Sequence, residues 1–156
     1  MQERDVLALL RRVKAGEIEE RSAAEILKGL AYEDMGFANL DHSREMRQGF
    51  PEVIYAEGKT AEQVRAIMLS LREHGRGNIM ATRADKDKYE YVKDAIPEAQ
   101  YHEGARIIYI DRDTSLVRDA SRPIMVVTAG TSDIPVAEEA RVTAYLYGNA
   151  VDACYD

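Results

Sequence analysis

Cysteine is almost absent from this sequence, with one residue, Cys154, among 156. A single cysteine excludes an internal disulfide framework, so a reducing cytoplasm is the expected location. Long apolar runs are absent too, because no stretch approaches the ~20 apolar residues that a membrane helix requires. The charged first turns of the chain also lack the apolar block of a secretory signal. These absences predict a cytoplasmic protein without a membrane partner.

Positive charge and metal-binding motifs are scarce as well. The 28 acidic and 21 basic residues give a net charge of −7, which disfavours a nucleic-acid partner. The three histidines, His42, His74 and His102, form neither an HxxxH nor an HExxH pattern, so no metal site is predicted. Cys154 has no base close to it in sequence and is interpreted as a small core residue rather than a nucleophile.

Apolar residues make up 46% of the chain, which is enough to build a core. At the start of the chain they recur every three or four positions, which is the pattern of an amphipathic helix. Gly16 separates two such stripes, so we predict a hairpin of two helices over residues 1–36. The stripes consist of Val6, Leu9, Leu10 and Val13, and of Ala23, Ile26, Leu27 and Leu30.

From residue 37 short apolar runs alternate with amphipathic helices. Thr60, with Gln63 in the capping-box position, begins one helix, and Asp85 begins another. The β-α-β-α-β order predicts a small three-layer α/β domain over residues 37–111. Its strands are predicted at 52–55, 78–82 and 107–110.

Residues 112–122 have little apolar content and are predicted to be a linker. A β-branched strand follows at 124–128, then a helix at 135–147 and a second strand at 150–155. One strand-helix-strand unit cannot enclose a core of its own. We therefore expect residues 123–156 to open a second domain and the chain to be a fragment or a natural truncation of a longer protein.

Two basic segments are candidate anion-binding sites. Gly58, Lys59 and Thr60 lie between a strand and a helix, but the glycine that a P-loop needs five residues earlier is Val53. Free N–H groups at the helix start and Lys59 can still hold an anion, although an ordinary capped helix with a solvated lysine explains the pattern as well.

The second basic segment contains Arg44 and Arg47. Their spacing of three places two guanidinium groups on neighbouring faces of a helical turn. Such a pair suits phosphate or carboxylate groups. A surface salt-bridge network is the alternative, and the residues alone leave both open.

The segment Gly130–Asp133, with sequence GTSD, follows a predicted strand and precedes a predicted helix. Open α/β sheets bind ligands at this place, where hydroxyls and helix N–H groups can hold an anion. The segment lacks the GxGxxG spacing of a dinucleotide fingerprint. Capping of the helix by Ser132 or Asp133 is the alternative, and both remain open.

Three blocks of this sequence together resemble one family. They are DHSREMRQGFPEVIY over 41–55 with the following GKT, YHEGAR over 101–106, and VVTAGTSDIPVAEEA over 126–140. They resemble the LarB family of nickel-pincer cofactor biosynthesis proteins, also described as PurE-related, AIR-carboxylase-like or circadian phase modifier proteins. The likeness covers essentially the whole chain.

The resemblance implies an enzyme that carboxylates the pyridinium ring of nicotinic acid adenine dinucleotide and cleaves its phosphoanhydride, releasing AMP. CO2 and the dinucleotide are then substrates, no cofactor is covalently bound, and a need for Mg2+ is left open. The implied fold is an N-terminal domain followed by a PurE-like, flavodoxin-like domain with a parallel sheet. The implied assembly is a homo-oligomer.

The resemblance also assigns site residues. In PurE-type proteins the loop matching Gly130–Asp133 lines the substrate pocket, so Ser132 and Asp133 are the candidate catalytic residues. Dinucleotide binding is assigned to Gly130, Thr131, Lys59, Arg44 and Arg47.

The sequence departs from the family in one respect. The family's catalytic cysteine and most of its pocket lie downstream of the first βαβ unit, and Cys154 is not at that position. The 156-residue span alone is therefore expected to be inactive. The alternative is a non-catalytic nucleotide-binding or assembly module.

Overall fold

The first 49 residues form one compact unit. In the computed structural model, which describes residues 3–29, 32–42, 44, 50–75 and 77–156, this unit begins with two helices. Helix α1 spans Glu3–Lys14 and helix α2 spans Glu20–Gly29. Leu9 and Ala23 are buried, as the apolar stripes predict. Both predicted helices are confirmed.

A β-hairpin follows the two helices in this unit. Strands β1 (Tyr32–Asp34) and β2 (Asn39–Asp41) pair antiparallel. Asp34 Oδ1 accepts a hydrogen bond of 2.7 Å from the N–H of Gly36, whose φ of +79° favours glycine in this turn. The sequence analysis did not predict this hairpin, because three-residue strands rich in charge carry no apolar alternation.

The second unit, residues 50–156, contains a four-stranded mixed sheet with the order β3-β4-β6-β5. Strands β3 and β4 are parallel, whereas β6 runs antiparallel to both β4 and β5. The unpredicted strand β5 explains this direction, because a tight turn after β5 returns the chain as β6. The α/β class and the three predicted strands are confirmed. The strands are β3 (Val53–Tyr55), β4 (Ile79–Thr82), β5 (Gln100–His102) and β6 (Ile107–Ile110).

Two capped helices connect these strands. Helix α3 (Ala61–His74) begins with the predicted capping box, in which Thr60 Oγ1 accepts from the Gln63 N–H and Gln63 Oε1 accepts from the Thr60 N–H. Helix α4 (Lys86–Ala95) begins at Asp85, whose Oδ1 accepts from the Lys88 N–H at 2.9 Å. The core between helices and sheet includes the fully buried side chains of Val64, Ile67, Met68, Met80, Val92, Ile107 and Ile108.

The last elements form a parallel β-α-β unit. Strands β7 (Ile124–Thr128) and β8 (Val151–Tyr155) pair in register, and helix α5 (Ile134–Leu146) connects them. Helix α5 buries Ala137, Val142 and Leu146. Cys154 is exposed in β8, so its interpretation as a core residue is wrong. The two-stranded sheet leaves much of β8 outside the core, as its burial pattern shows.

Asn78 fastens this β-α-β unit to the mixed sheet. Its side chain is buried, and its Nδ2 donates to the Leu146 carbonyl at 2.8 Å. Its Oδ1 accepts from the N–H groups of Arg112 at 2.7 Å and Asp113 at 2.8 Å. The guanidinium group of Arg112 donates to the carbonyls of Leu71, Arg72, Gly75 and Gly77.

These bonds hold the beginning of the segment 112–122, which contains neither helix nor strand. The division of the chain into domains 1–36, 37–111 and 123–156 with a linker at 112–122 stays a prediction. Among the described residues, no helix is both long and apolar enough to cross a membrane.

Candidate functional site

The predicted loop Gly130–Asp133 lies at the carboxyl end of β7 and leads directly into α5. Residues Thr131–Asp133 form a single 3-10 turn, closed by the Asp133 N–H donating to the Gly130 carbonyl at 2.9 Å. Ser132 and Asp133 are both exposed. The sequence therefore placed this loop correctly between a strand and a helix.

Asp133 occupies the N-cap position of α5, but its side chain makes no capping hydrogen bond. The 3-10 turn has no side-chain cap either. The capping role that the sequence left open is thus not what Asp133 performs in the structure. Its carboxylate is exposed at the place where open α/β sheets bind ligands.

Gly130 has an extended backbone, with φ 160°, that other residues also adopt. A Cβ atom at this position would lie 3.7 Å from Asp133 Oδ2, which is ordinary van der Waals contact. The turn itself therefore does not require glycine. Close approach of a ligand to the Gly130 backbone stays a prediction.

A small cleft of about 50 Å3 lies beside the first turn of α5. Arg83, which directly follows β4, forms one wall at the carboxyl end of the parallel pair β3 and β4. Arg106, in the turn between β5 and β6, forms another wall. The cleft is lined by Arg83, Ala105, Arg106, Pro135, Val136 and Glu139.

Both arginines of the cleft have left-handed backbone conformations, with φ of 56° at Arg83 and 52° at Arg106. This conformation costs a residue other than glycine roughly 1–2 kcal/mol. It is held in place by the Ala84 N–H, which donates to the Arg106 carbonyl at 2.8 Å, and by the Tyr101 hydroxyl, which donates to the Ala84 carbonyl at 3.1 Å. Backbone strain of this kind clusters at functional sites.

The charged residues that line the cleft are Arg83, Arg106 and Glu139. Arg83 Nε lies 2.7 Å from Glu139 Oε2, yet it is buried without an aligned hydrogen bond, so the contact is an ion pair only. Arg106 is exposed, and its guanidinium group makes no hydrogen bond or ion pair with the described residues. Two arginines and one carboxylate thus line the cleft, a set that suits an anion. Beside the cleft, the pKa of Asp85 is lowered mainly by its hydrogen bonds from Lys88 and in part by the charge of Arg106.

A second polar cluster surrounds Glu138 on α5. Arg141 donates to Glu138 through Nε at 2.9 Å and Nη2 at 2.7 Å, and the Tyr155 hydroxyl donates to it at 2.6 Å. The hydrogen bonds from Arg141 are the main reason that the pKa of Glu138 is lowered. Burial, followed by the bond to Glu138, raises the pKa of Tyr155.

His102 connects the turn after β5 to the same cluster. Its Nδ1 accepts from the Ala105 N–H at 3.1 Å, so the neutral ring carries its proton on Nε2. This Nε2 lies 3.3 Å from Glu138 Oε2, where it can donate. The cluster therefore joins β5, α5 and β8 through one carboxylate, which is a structural role.

We expect Glu138→Gln to lower the free energy of unfolding at pH 7 by about 1–3 kcal/mol, because the carboxylate receives charged hydrogen bonds. The pKa of Glu138 is lower in the folded state than its ordinary value of 4.5. Its stabilisation is therefore present above pH 4.5 and is lost as the pH falls through the folded value. Urea denaturation at several pH values should show a weaker acid dependence in the variant.

Glu98→Gln is the matched control for this prediction. Glu98 pairs with Arg72 at 2.6 Å, but both side chains are more than 40% exposed. Exposed pairs of this kind contribute about 0–1 kcal/mol. Equal denaturation midpoints for Glu138→Gln and the wild type at pH 7 would contradict the structural role of the cluster.

Of the other predicted binding residues, Lys59 lies in the same unit as this loop. Lys59 is half-buried in the turn before α3, where its N–H donates to the Ala56 carbonyl at 3.1 Å. Within the described part of the chain, no hydrogen bond or ion pair joins Lys59 to Gly130–Asp133. Arg44 belongs to the first unit, and Arg47 lies outside the described residues.

Sequence reasoning missed Arg83, Arg106 and Glu139 as site residues. Arg106 and Glu139 stand in the two blocks YHEGAR and VVTAGTSDIPVAEEA, of which only Gly130–Asp133 was interpreted as a site. Arg83 directly follows a predicted strand, which is the signal that could have found it. The structure brings all three together.

The parallel β-α-β unit and the mixed sheet together define an α/β protein with a polar loop at the carboxyl end of a strand. The family model described as LarB/PurE-like N-terminal domain matches residues 32–112, just over half of the chain. The chain therefore belongs to the LarB/PurE-like family, which confirms the resemblance seen in the sequence blocks.

The chain is also similar to a relative with a longer chain. An uncharacterised protein of Methanocaldococcus jannaschii is 32% identical over 124 residues, which cover 75% of this chain and 47% of the relative. The chain thus spans about half the length of this relative.

Proposed function

We propose that this chain is the amino-terminal part of a PurE-like carboxylase that acts on nicotinic acid adenine dinucleotide. The enzyme adds CO2 to the pyridinium ring and cleaves the phosphoanhydride, with release of AMP. The observation that carries the proposal is the exposed Gly130–Asp133 loop at the carboxyl end of β7, in a chain of the LarB/PurE-like family.

The two reactions need different groups. Carboxylation replaces a ring C–H by C–COO⁻ and releases one proton, which a nearby base accepts. Hydrolysis adds water to phosphorus and breaks the P–O–P linkage, so negative charge develops on phosphoryl oxygens. Acidic and basic groups are therefore needed at separate places along the substrate.

Asp133 is the residue that we assign to the ring end. Its carboxylate is exposed and makes no capping bond, so it is open to a ligand. Ser132, next to it in the same turn, offers a hydroxyl that can donate to a carboxylate product or accept from a neighbour. Gly130 and Thr131, in the same loop, are assigned to binding of the dinucleotide as part of the proposal.

The basic residues Lys59, Arg44 and Arg47 are assigned to the phosphate-bearing part of the dinucleotide. Lysine and arginine suit this task because both bind phosphate oxygens, arginine through a bidentate fork. The family resemblance supports this assignment.

The test is incorporation of carbon-13 from labelled bicarbonate into the dinucleotide by the complete gene product, followed by mass spectrometry, with and without Mg2+. Because the chain spans about half of its relative, the 156-residue chain is measured beside the complete product. We expect the short chain to bind the dinucleotide without turnover.

A further inference from the structure

We propose that the cleft between Arg83 and Arg106 binds a phosphoryl group. The proposal rests on the proposed function for the identity of the ligand, because the dinucleotide named there has two phosphoryl groups. The recognition itself depends only on the chemistry of the cleft.

The hydrogen-bond donors of the cleft outnumber its acceptors. Each guanidinium group has five N–H donors. Arg106 uses none of them on the described residues, and Arg83 Nε is buried 2.7 Å from Glu139 without an aligned bond. Three phosphoryl oxygens offer acceptors to both forks, and charged bonds of this kind are about twice as strong as neutral ones.

The backbone holds both arginines in left-handed conformations that are unfavourable in free energy. Each has a left-handed φ, and the Ala84 N–H bond to the Arg106 carbonyl ties the two segments together. The first turn of α5, with Pro135 and Val136, forms the facing wall. The helix start has no side-chain cap hydrogen bond, and the partial positive charge of its N–H groups adds to that of the guanidinium groups.

The size of the cleft limits what can enter it. A volume of about 50 Å3 is roughly four times the ~10–15 Å3 that one water needs on the same measure, which is room for a group of about four heavy atoms. One phosphoryl group fits at the mouth, whereas a nucleobase does not. The remainder of the ligand therefore lies outside, and Asp133 stands only two residues before Pro135 in the cleft wall.

Calorimetric titration of the 156-residue chain with AMP, inorganic phosphate and adenosine tests this site. We expect AMP and phosphate to bind and adenosine to fail, because adenosine lacks the phosphoryl group. Arg106→Gln should weaken AMP binding at least tenfold, since it removes the charge but keeps the backbone conformation. Arg106→Lys keeps the charge but loses the bidentate geometry, so its affinity for AMP should lie between those of the wild type and Arg106→Gln.

Arg122→Gln is the matched control, because Arg122 is 86% exposed and outside the cleft. It should change AMP affinity less than twofold. Thermal melting followed by circular dichroism shows that each variant is folded; if Arg106→Gln does not fold, Arg106→Lys carries the comparison alone.

Equal AMP affinity in the wild type and in a folded Arg106 variant would overturn the proposal. So would binding of adenosine as tight as that of AMP, or displacement of AMP by acetate as effective as by phosphate, which would indicate a carboxylate site. If the wild-type chain does not bind AMP but the complete gene product turns over, the proposed subsite is wrong and the proposed function stands. If the wild-type chain binds AMP but the complete gene product shows no turnover, the proposed function is wrong and the subsite stands.

Discussion

Asp133→Asn is expected to lower the carboxylation rate of the complete gene product by about 100- to 1,000-fold, the usual cost of removing one well-placed polar group from an active site. The substitution keeps the shape of the side chain and removes its charge. Because Asp133 makes no capping bond in the structure, its replacement should leave the melting temperature within a few degrees.

Ser132→Ala should also lower the rate, with little effect on stability, since Ser132 is exposed and does not cap a helix. The matched control is Asp152→Asn, which makes the same change at an exposed position of β8. Wild-type turnover in a folded Asp133→Asn protein would show that the loop has no part in the chemistry.

Asn78→Ala is expected to lower the free energy of unfolding by about 3 kcal/mol or more. The substitution removes three hydrogen bonds of 2.7 to 2.8 Å in a buried place. It leaves the N–H groups of Arg112 and Asp113 and the Leu146 carbonyl without these partners, and each buried unsatisfied group costs about 1–3 kcal/mol. Urea denaturation at pH 7 measures the change.

Asn149→Ala is the control for this prediction. Asn149 is half-buried and donates one bond, from Nδ2 to the Ala144 carbonyl at 3.0 Å, so its loss should cost about 0.5–1.5 kcal/mol. If both alanine variants have the same stability, Asn78 does not fasten the β-α-β unit to the mixed sheet.

The parts of the fold that local sequence determines were predictable. Thr60 and Asp85 begin their helices as predicted, because a capping side chain bonds a backbone N–H only three residues away. The strand at Ile107–Ile110 was recognisable from its unbroken apolar run. Its direction was not, because the run is the same for a parallel and an antiparallel strand, and the short β5 that reverses the chain carries no pattern.

The candidate site also has a part that the local sequence predicted and a part that it did not. Gly130–Asp133 was found because a strand, a polar loop and a helix follow one another in sequence. Arg83, Arg106 and Glu139 could not be combined beforehand, since they stand far apart and meet only through the pairing of β4 with β6 and the packing of α5. Cys154 was misjudged because alternation in a strand does not show which face a neighbouring element covers.

Labelled bicarbonate provides the most direct test of the proposed activity. The complete gene product is incubated with nicotinic acid adenine dinucleotide and carbon-13 bicarbonate, and the products are separated and weighed by mass spectrometry. We expect the wild type to give a carboxylated pyridinium product that carries the label, together with AMP. The Asp133→Asn variant should form both products more slowly. Dinucleotide binding by the folded, complete protein without label incorporation or AMP release would contradict the account and favour a non-catalytic nucleotide-binding module.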